Sequence, residues 1–281
     1  MKSLKNVSLK NYSNMKVGGE IKEIIFVENI DEIIKYTKKM NKINVLGNGT
    51  NILFKDGKID EVLISLKKMN KIKKKDGMLE IEAGCTMSDL IKYMRKNNYS
   101  GIERLAGIPG TIGGLTVMNG GAYGVEIFDY IKKVEVVSEN GEIKILNKNE
   151  INYGYRYTEF QKRKDIVTRI YMRLEKGFDS KKVLEISEQR KLKQPLEYPN
   201  LGSIFKNPKN DYAARLIEKV NLKGYEIGDA KISKKHTNFI INKGNAKYSD
   251  IIDLMNLVKK KIKEEYNVEL ENEIIIFPME D

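Results

Sequence analysis

The chain is expected to be an α+β protein. A two-lobed domain of mixed sheets and helices covers residues 1–177, and a smaller α+β domain covers 178–281. Three observations predict this. Strand-like and helix-like segments alternate in the first half, but hairpin signals interrupt them, so a plain doubly wound sheet is excluded. Glycines gather where strands hand over to loops, around 47–49 and 107–124. Beyond Gly177 the pattern changes to charged helices separated by short apolar strands. At 281 residues the chain exceeds the common size of one core, so the first part is divided again, into lobes of about 1–67 and 68–177.

In chain order, Glu23–Val27 reads as a strand. Ile30–Met40 follows as a helix with Ile30, Ile33, Ile34 and Thr37 on its apolar face, then Ile43–Leu46 as a short buried strand. Glu61–Leu66 and Met78–Ala83 are further strands, and the lysine-rich run Lys71–Gly77 between them reads as a solvated turn. Ser88 is expected to cap a helix that buries Leu90, Ile91 and Met94. Lys133–Val137 and Ile166–Leu174 are strands, with Asn140-Gly141 as a hairpin turn. In the second part Ser180–Lys193 and Asp211–Lys219 read as helices and Phe239–Ile241 as a buried strand. Ser249 is expected to cap a last helix with Ile251, Ile252, Met255, Val258 and Ile262 on one face.

Composition narrows the chemistry. One cysteine (Cys85) and one histidine (His236) exclude a zinc site built from those residues, and no metal is expected. They leave proton transfer mainly to Ser, Tyr, Glu, Asp or Lys. Cys85 reads as a small buried residue, and His236 as a packed one beside a buried strand. The net charge of +12 suits anionic ligands, but the lysines are scattered rather than gathered in one block. This favours small phosphorylated molecules over nucleic acid. The apolar runs are too short for a membrane span, and the first residues lack the apolar core of an export signal. With no disulfide framework, the expectation is a cytoplasmic protein, working as a monomer without a membrane partner.

Two glycine segments point to a large ligand. In the first, Gly47, Asn48, Gly49, Thr50 and Asn51 combine close main-chain approach with side-chain donors suited to a pyrophosphate. It is not G-x-G-x-x-G, and no helix pattern follows, which argues against a Rossmann site. The second holds seven glycines in residues 107–124, an entropic cost that packing alone seldom explains. Its candidate ligand contacts are Pro109, Gly110, Thr111, Gly113, Gly114, Asn119, Gly120, Gly121, Ala122 and Tyr123. A third segment, Gly202-Ser203-Ile204-Phe205-Lys206-Asn207-Pro208, sets one hydroxyl in a rigid loop. On these grounds alone Ser203 could be a proton donor, a nucleophile or a turn residue.

The two glycine segments, with Tyr153-Gly154-Tyr155-Arg156, Lys193-Gln194-Pro195, the 202–208 loop, Leu216-Ile217-Glu218, Lys235-His236-Thr237-Asn238-Phe239-Ile240 and Leu270-Glu271-Asn272-Glu273, resemble a known family. It is the UDP-N-acetylenolpyruvoylglucosamine reductases, within the vanillyl-alcohol-oxidase-type flavoenzymes. The motifs run in family order from about residue 11 to 273, and the short span from Arg156 to Ser203 resembles the family's shorter, type II form. Residues 11–14, Glu20, Thr50 and Asn272 depart from the usual pattern.

The resemblance implies an FAD-binding domain followed by a substrate-binding domain. It also implies an NADPH-dependent reduction of UDP-N-acetylglucosamine enolpyruvate to UDP-N-acetylmuramate in peptidoglycan synthesis. It makes Arg156 the group that binds the substrate carboxylate, Ser203 the proton donor and Glu273 the carboxylate that aids protonation, with Glu271 as rival. Arg190, Lys193, Lys206 and Asn207 would hold the substrate. The early chain has no histidine at the family's attachment spacing, so the FAD is expected to be noncovalent.

Overall fold

The computed structural model describes residues 2–40 and 43–279, and the chain divides into two compact units. The first comprises residues 1–5, 23–48 and 62–188, and the second 6–22, 49–61 and 189–281. The groupings are discontinuous in sequence and so differ from the contiguous lobes ending near 67 and 177.

The first unit is built on a five-stranded antiparallel sheet. Its strands lie in the order Ile143–Asn147, Ile131–Val137, Ile166–Met172, Met78–Glu82 and Ile72–Lys75. Asn44–Leu46 pairs with Leu63–Ser65 in parallel, so the strands are mixed, as expected. This unit takes residues 180–188 of the helix Ser180–Lys193 and, among the described residues, three whole α-helices: α1 (Ile30–Thr37), α2 (Met87–Asn97) and α3 (Ile112–Met118). Their apolar positions join one core around Ile81, Leu90, Ile112, Phe128, Val134 and Ile170. Each such fully buried side chain is worth about 1.5–3 kcal/mol of transfer free energy.

Three local readings are corrected here. Ile72–Lys75 is a strand, not a solvated turn. It pairs with Met78–Glu82 through Asp76-Gly77, both at positive φ (49° and 74°). This is the Asp-Gly hairpin signal, masked by lysines on an exposed edge strand. Helix α2 is capped by Thr86 rather than Ser88. The Thr86 hydroxyl accepts from the Asp89 N–H at 3.1 Å, and the Asp89 carboxylate accepts from the Thr86 N–H. The strand at 44–46 is only partly buried, with Val45 39% exposed.

Cys85 is fully buried, as expected, and its thiol donates to the Lys71 carbonyl. Burial, with Glu82 and Asp89 nearby, pushes that thiol up to about 12. The native protein is therefore expected not to react with a thiol-specific disulfide reagent at pH 8, whereas the unfolded chain should release one equivalent. Rapid labelling under native conditions would contradict this environment.

The second unit has its own core, around Met15, Leu53, Phe205, Leu216, Ile240, Leu254 and Val258. Helix α4 (Ser180–Lys193) has the expected range and belongs to this unit only from Gln189 onward. Helix α5 spans Ala213–Lys219, and α6, Tyr248–Tyr266, buries Ile251, Leu254, Met255, Val258 and Ile262. The apolar face of α6 includes Leu254 besides the expected residues, of which Ile252 is only partly buried against the same core. Ser249 does not cap it; Lys247 precedes the first turn, and its N–H donates to the Asp250 carboxylate at 2.9 Å. An antiparallel sheet runs Glu226–Ile227, Ala230–Ile232, Ile240–Asn242, and Ile275–Phe277 lies parallel to Ile52–Phe54. Among the described residues no helix is long and apolar enough to cross a membrane.

Candidate active site

In the first unit the two glycine segments meet at Thr111. The Thr111 side chain begins α3 and accepts from the Gly114 N–H at 3.2 Å. A Cβ on Gly47 would stand 2.8 Å from that same hydroxyl oxygen. Gly113 packs so tightly that a Cβ there would lie 2.7 Å from the Ala83 Cβ, whereas Gly114 is exposed. Glycine thus serves two purposes: some positions admit the protein's own chain, and Gly114 leaves the first turn of α3 uncovered.

Downstream, Asn119 ends α3 in the left-handed region with φ of 44° and is fully buried. Its amide donates to Glu126 Oε2 at 2.7 Å and to the Gly154 carbonyl at 2.8 Å. Gly121-Ala122 and Val125-Glu126 form a hairpin whose turn residues, Tyr123 and Gly124, both have positive φ. Arg156 lies on the turn of a second hairpin, Tyr153-Gly154 with Tyr157-Thr158, itself at φ of 53°. Its guanidinium donates to the Gly121 carbonyl at 2.7 Å and to the Asn119 carbonyl at 3.4 Å, and stands 3.7 Å from the Glu126 carboxylate. Gln161 donates to the Arg156 carbonyl at 3.2 Å and to Val117 at 3.1 Å. The structure therefore brings Arg156 onto the 119–121 part of the glycine segment. Glu126 and Gln161, which hold this arrangement, carry no sequence signal of their own.

In the second unit Ser203 and Glu273 occupy neighbouring stretches of chain. Phe205 and Asn272 form an antiparallel bridge; the Glu273 N–H donates to the Ile204 carbonyl at 2.8 Å and the Lys206 N–H to the Glu271 carbonyl at 2.9 Å. Asn51 joins the same assembly, its side chain donating to the Glu273 carbonyl at 3.1 Å and its carbonyl accepting from the Ile275 N–H. Gly49, at φ of 66°, is buried so closely that a Cβ would fall on the Tyr12 carbonyl oxygen. Gly47 and Asn48 belong to the first unit, and Gly49, Thr50 and Asn51 to the second.

The rival acids separate. Glu271 is exposed and pairs with the Lys206 amine at 3.2 Å, whereas Glu273 is partly buried. Asn207 accepts from the Ala213 N–H at the start of α5. Arg190 is buried on α4 and Lys193 is exposed at its end. His236 packs edge-on against Phe239 with ring centroids 4.7 Å apart, and burial holds its pKa below the usual value. Among the described residues no cluster of ligating side chains could hold a metal ion.

One feature of the first unit suits the pyrophosphate of a flavin dinucleotide: the first turn of α3 is exposed at Gly114, whereas the Thr111, Asn119 and Asn51 side chains are engaged within the protein.

Comparison with known proteins supports the same reading. Residues 22–147 match the FAD binding domain family, and residues 194–277 match the C-terminal domain of UDP-N-acetylenolpyruvoylglucosamine reductase. The UDP-N-acetylenolpyruvoylglucosamine reductase of Fusobacterium nucleatum is 48% identical over 281 residues, covering 98% of this chain and 99% of that protein. The chain belongs to the UDP-N-acetylenolpyruvoylglucosamine reductases. The reductase from Clostridium tetani is 40% identical, over 96% of this chain and 91% of its own length. The crystal structure of the reductase from Thermus caldophilus has a TM-score of 0.84 at 32% identity, covering 99% of this chain and 98% of that one. This reductase is accordingly an FAD-dependent oxidoreductase of the expected α+β class, with NADPH as reductant, acting in peptidoglycan precursor synthesis.

Proposed function

We propose that this reductase converts UDP-N-acetylglucosamine enolpyruvate to UDP-N-acetylmuramate with Arg156, Ser203 and Glu273 as its reacting groups. When bound, FAD would supply the substrate β-carbon with a hydride taken from NADPH. The chain's own residues have two remaining tasks: to hold the charge that this places on the substrate carboxylate, and to deliver one proton to the α-carbon.

Arg156 takes the first task. Its guanidinium is planar and permanently charged, and its bonds to the Asn119 and Gly121 carbonyls orient that plane. Ser203 takes the second, its Oγ–H donating to the α-carbon. Glu273 assists the protonation. The observation that carries this reading is the bond from the Glu273 N–H to the Ile204 carbonyl, which puts the acid and the hydroxyl on adjoining chain segments. Arg190, Lys193, Lys206 and Asn207 bind the uridine diphosphate and carboxylate. The two glycine-rich segments, 47–51 and 109–123, bind FAD noncovalently. In this reading residues 1–177 form the flavin-binding part and 178–281 the substrate-binding part. The protein works as a monomer in the cytoplasm, without membrane or nucleic-acid partners.

An anaerobic flavin titration tests the reaction. The purified protein should be yellow, NADPH should bleach it, and the enolpyruvyl sugar should restore the colour. A colourless protein that cannot be reconstituted with FAD would end this reading. So would a bleached protein that oxygen recolours and the enolpyruvyl sugar does not.

A further inference from the structure

The loop that carries Ser203 is fixed by a residue to which the chemistry above gives no part. Phe205, two residues beyond Ser203, is 1% exposed, so its main-chain groups have no access to water. Asn238, itself 3% exposed, satisfies both of them. Its Oδ1 accepts from the Phe205 N–H at 3.0 Å and its Nδ2 donates to the Phe205 carbonyl at 2.8 Å. The Asn238 carbonyl also accepts from the Ile204 N–H at 2.9 Å. A side-chain amide presents a donor and an acceptor in one plane, so it can stand in for a neighbouring strand where the chain forms none. The stretch so held is the one to which Glu273 is tied through the Ile204 carbonyl.

We propose that Asn238 is a positioning residue for proton delivery by Ser203, an inference that rests on Ser203 being the donor. The carboxamide fixes Phe205, Phe205 fixes the course of the chain from Ser203, and the hydroxyl keeps its distance to the reacting carbon. Loss of the amide leaves a buried donor and a buried acceptor unpaired, so the loop must shift to find partners. A displacement of about 1 Å costs about a hundredfold in a proton-transfer step that depends on alignment. Reduction of flavin by NADPH does not use the hydroxyl and is insensitive to such a shift.

The test measures the two half-reactions separately, by anaerobic rapid mixing of the FAD-loaded protein. Asn238→Ala should slow flavin reoxidation by the enolpyruvyl sugar by about a hundredfold at saturating substrate. The rate of reduction by NADPH should stay near that of the parent. Asn238→Asp keeps the oxygen that accepts from Phe205 but loses the donor; it should show the same split to a smaller degree, and it decides the matter if the alanine variant does not fold. Equal loss in both half-reactions, no loss in either, or failure of both variants to fold would overturn the proposal and leave Asn238 as a purely structural amide. Ser203→Ala measured alongside separates the two ideas. If it lacks the split, the assignment of Ser203 fails; if it shows the split and the Asn238 variants do not, only the positioning role fails.

Discussion

Replacing Ser203 by alanine is expected to leave reduction of the bound flavin by NADPH unchanged and to slow its reoxidation by the enolpyruvyl sugar by about 10²–10⁴-fold. The separation follows from what each step needs. Hydride transfer from the dinucleotide requires only that donor and acceptor rings meet. Reduction of the enolpyruvyl group also needs a proton at the α-carbon, and in the proposed site that proton comes from Oγ. The change removes one hydroxyl from a partly buried loop position, while the main chain on either side stays tied to Asn200 and Asn238. Folding and FAD content should therefore hold, and a melting curve with the flavin spectrum checks both. Parallel loss of the two half-reactions would mean that Ser203 shapes the site rather than reacting in it. Unimpaired turnover would mean that another group delivers the proton.

Gly49→Ala should destabilise the protein by about 3 kcal/mol or more, because overlap and strain act together. The new Cβ would fall on the Tyr12 carbonyl oxygen, a main-chain atom that no rotamer change can move, and the φ of 66° is unfavourable for any residue with a side chain. Movement at Tyr12 would also strain the bond from the Asn14 N–H to the Gly49 carbonyl. Melting should fall by roughly 10 °C for a chain of this size, with FAD content reduced; a variant melting with the parent would refute the close approach. Gly114→Ala is the control. A Cβ there meets only the Thr111 hydroxyl, at 3.3 Å, so stability should change little while FAD affinity drops.

The difference between these glycines marks how far the sequence could be read. Both lie in segments that glycine content singled out, and both were assigned to the ligand. The structure divides them by purpose: Gly49 makes room for the protein's own carbonyl, and Gly114 leaves a helix turn open. Composition records that a side chain is missing, not what occupies the space. The same limit explains Asn51, read as a flavin donor and found with its amide on the Glu273 carbonyl, and Asn238, whose partner is 33 positions away. Local periodicity did better, because strand and helix patterns repeat within a few residues. It failed where charge hid the pattern, as at Ile72–Lys75, and at helix starts, where Thr86 and Lys247 rather than Ser88 and Ser249 precede the first turn. The candidate reacting groups stand out only through family motifs. The bonds that Glu126, Gln161 and Asn238 make to neighbouring chain are visible only in the folded protein.

The parallel pairing of Ile275–Phe277 with Ile52–Phe54 sets a timetable for biosynthesis. Segments 6–22 and 49–61 leave the ribosome early, yet the rest of their compact unit, residues 189–281, is made last. At ribosomal speeds of about 5–20 residues per second, Met15, Val17 and Leu53 wait on the order of ten seconds for the side chains that will cover them. Meanwhile most of the other unit, residues 62–188, has already been made. The nascent protein therefore carries an apolar stretch near its start whose covering side chains are made last. Chaperone dependence during synthesis should be concentrated there, and codon choice across 62–188 should bear on the yield of soluble enzyme.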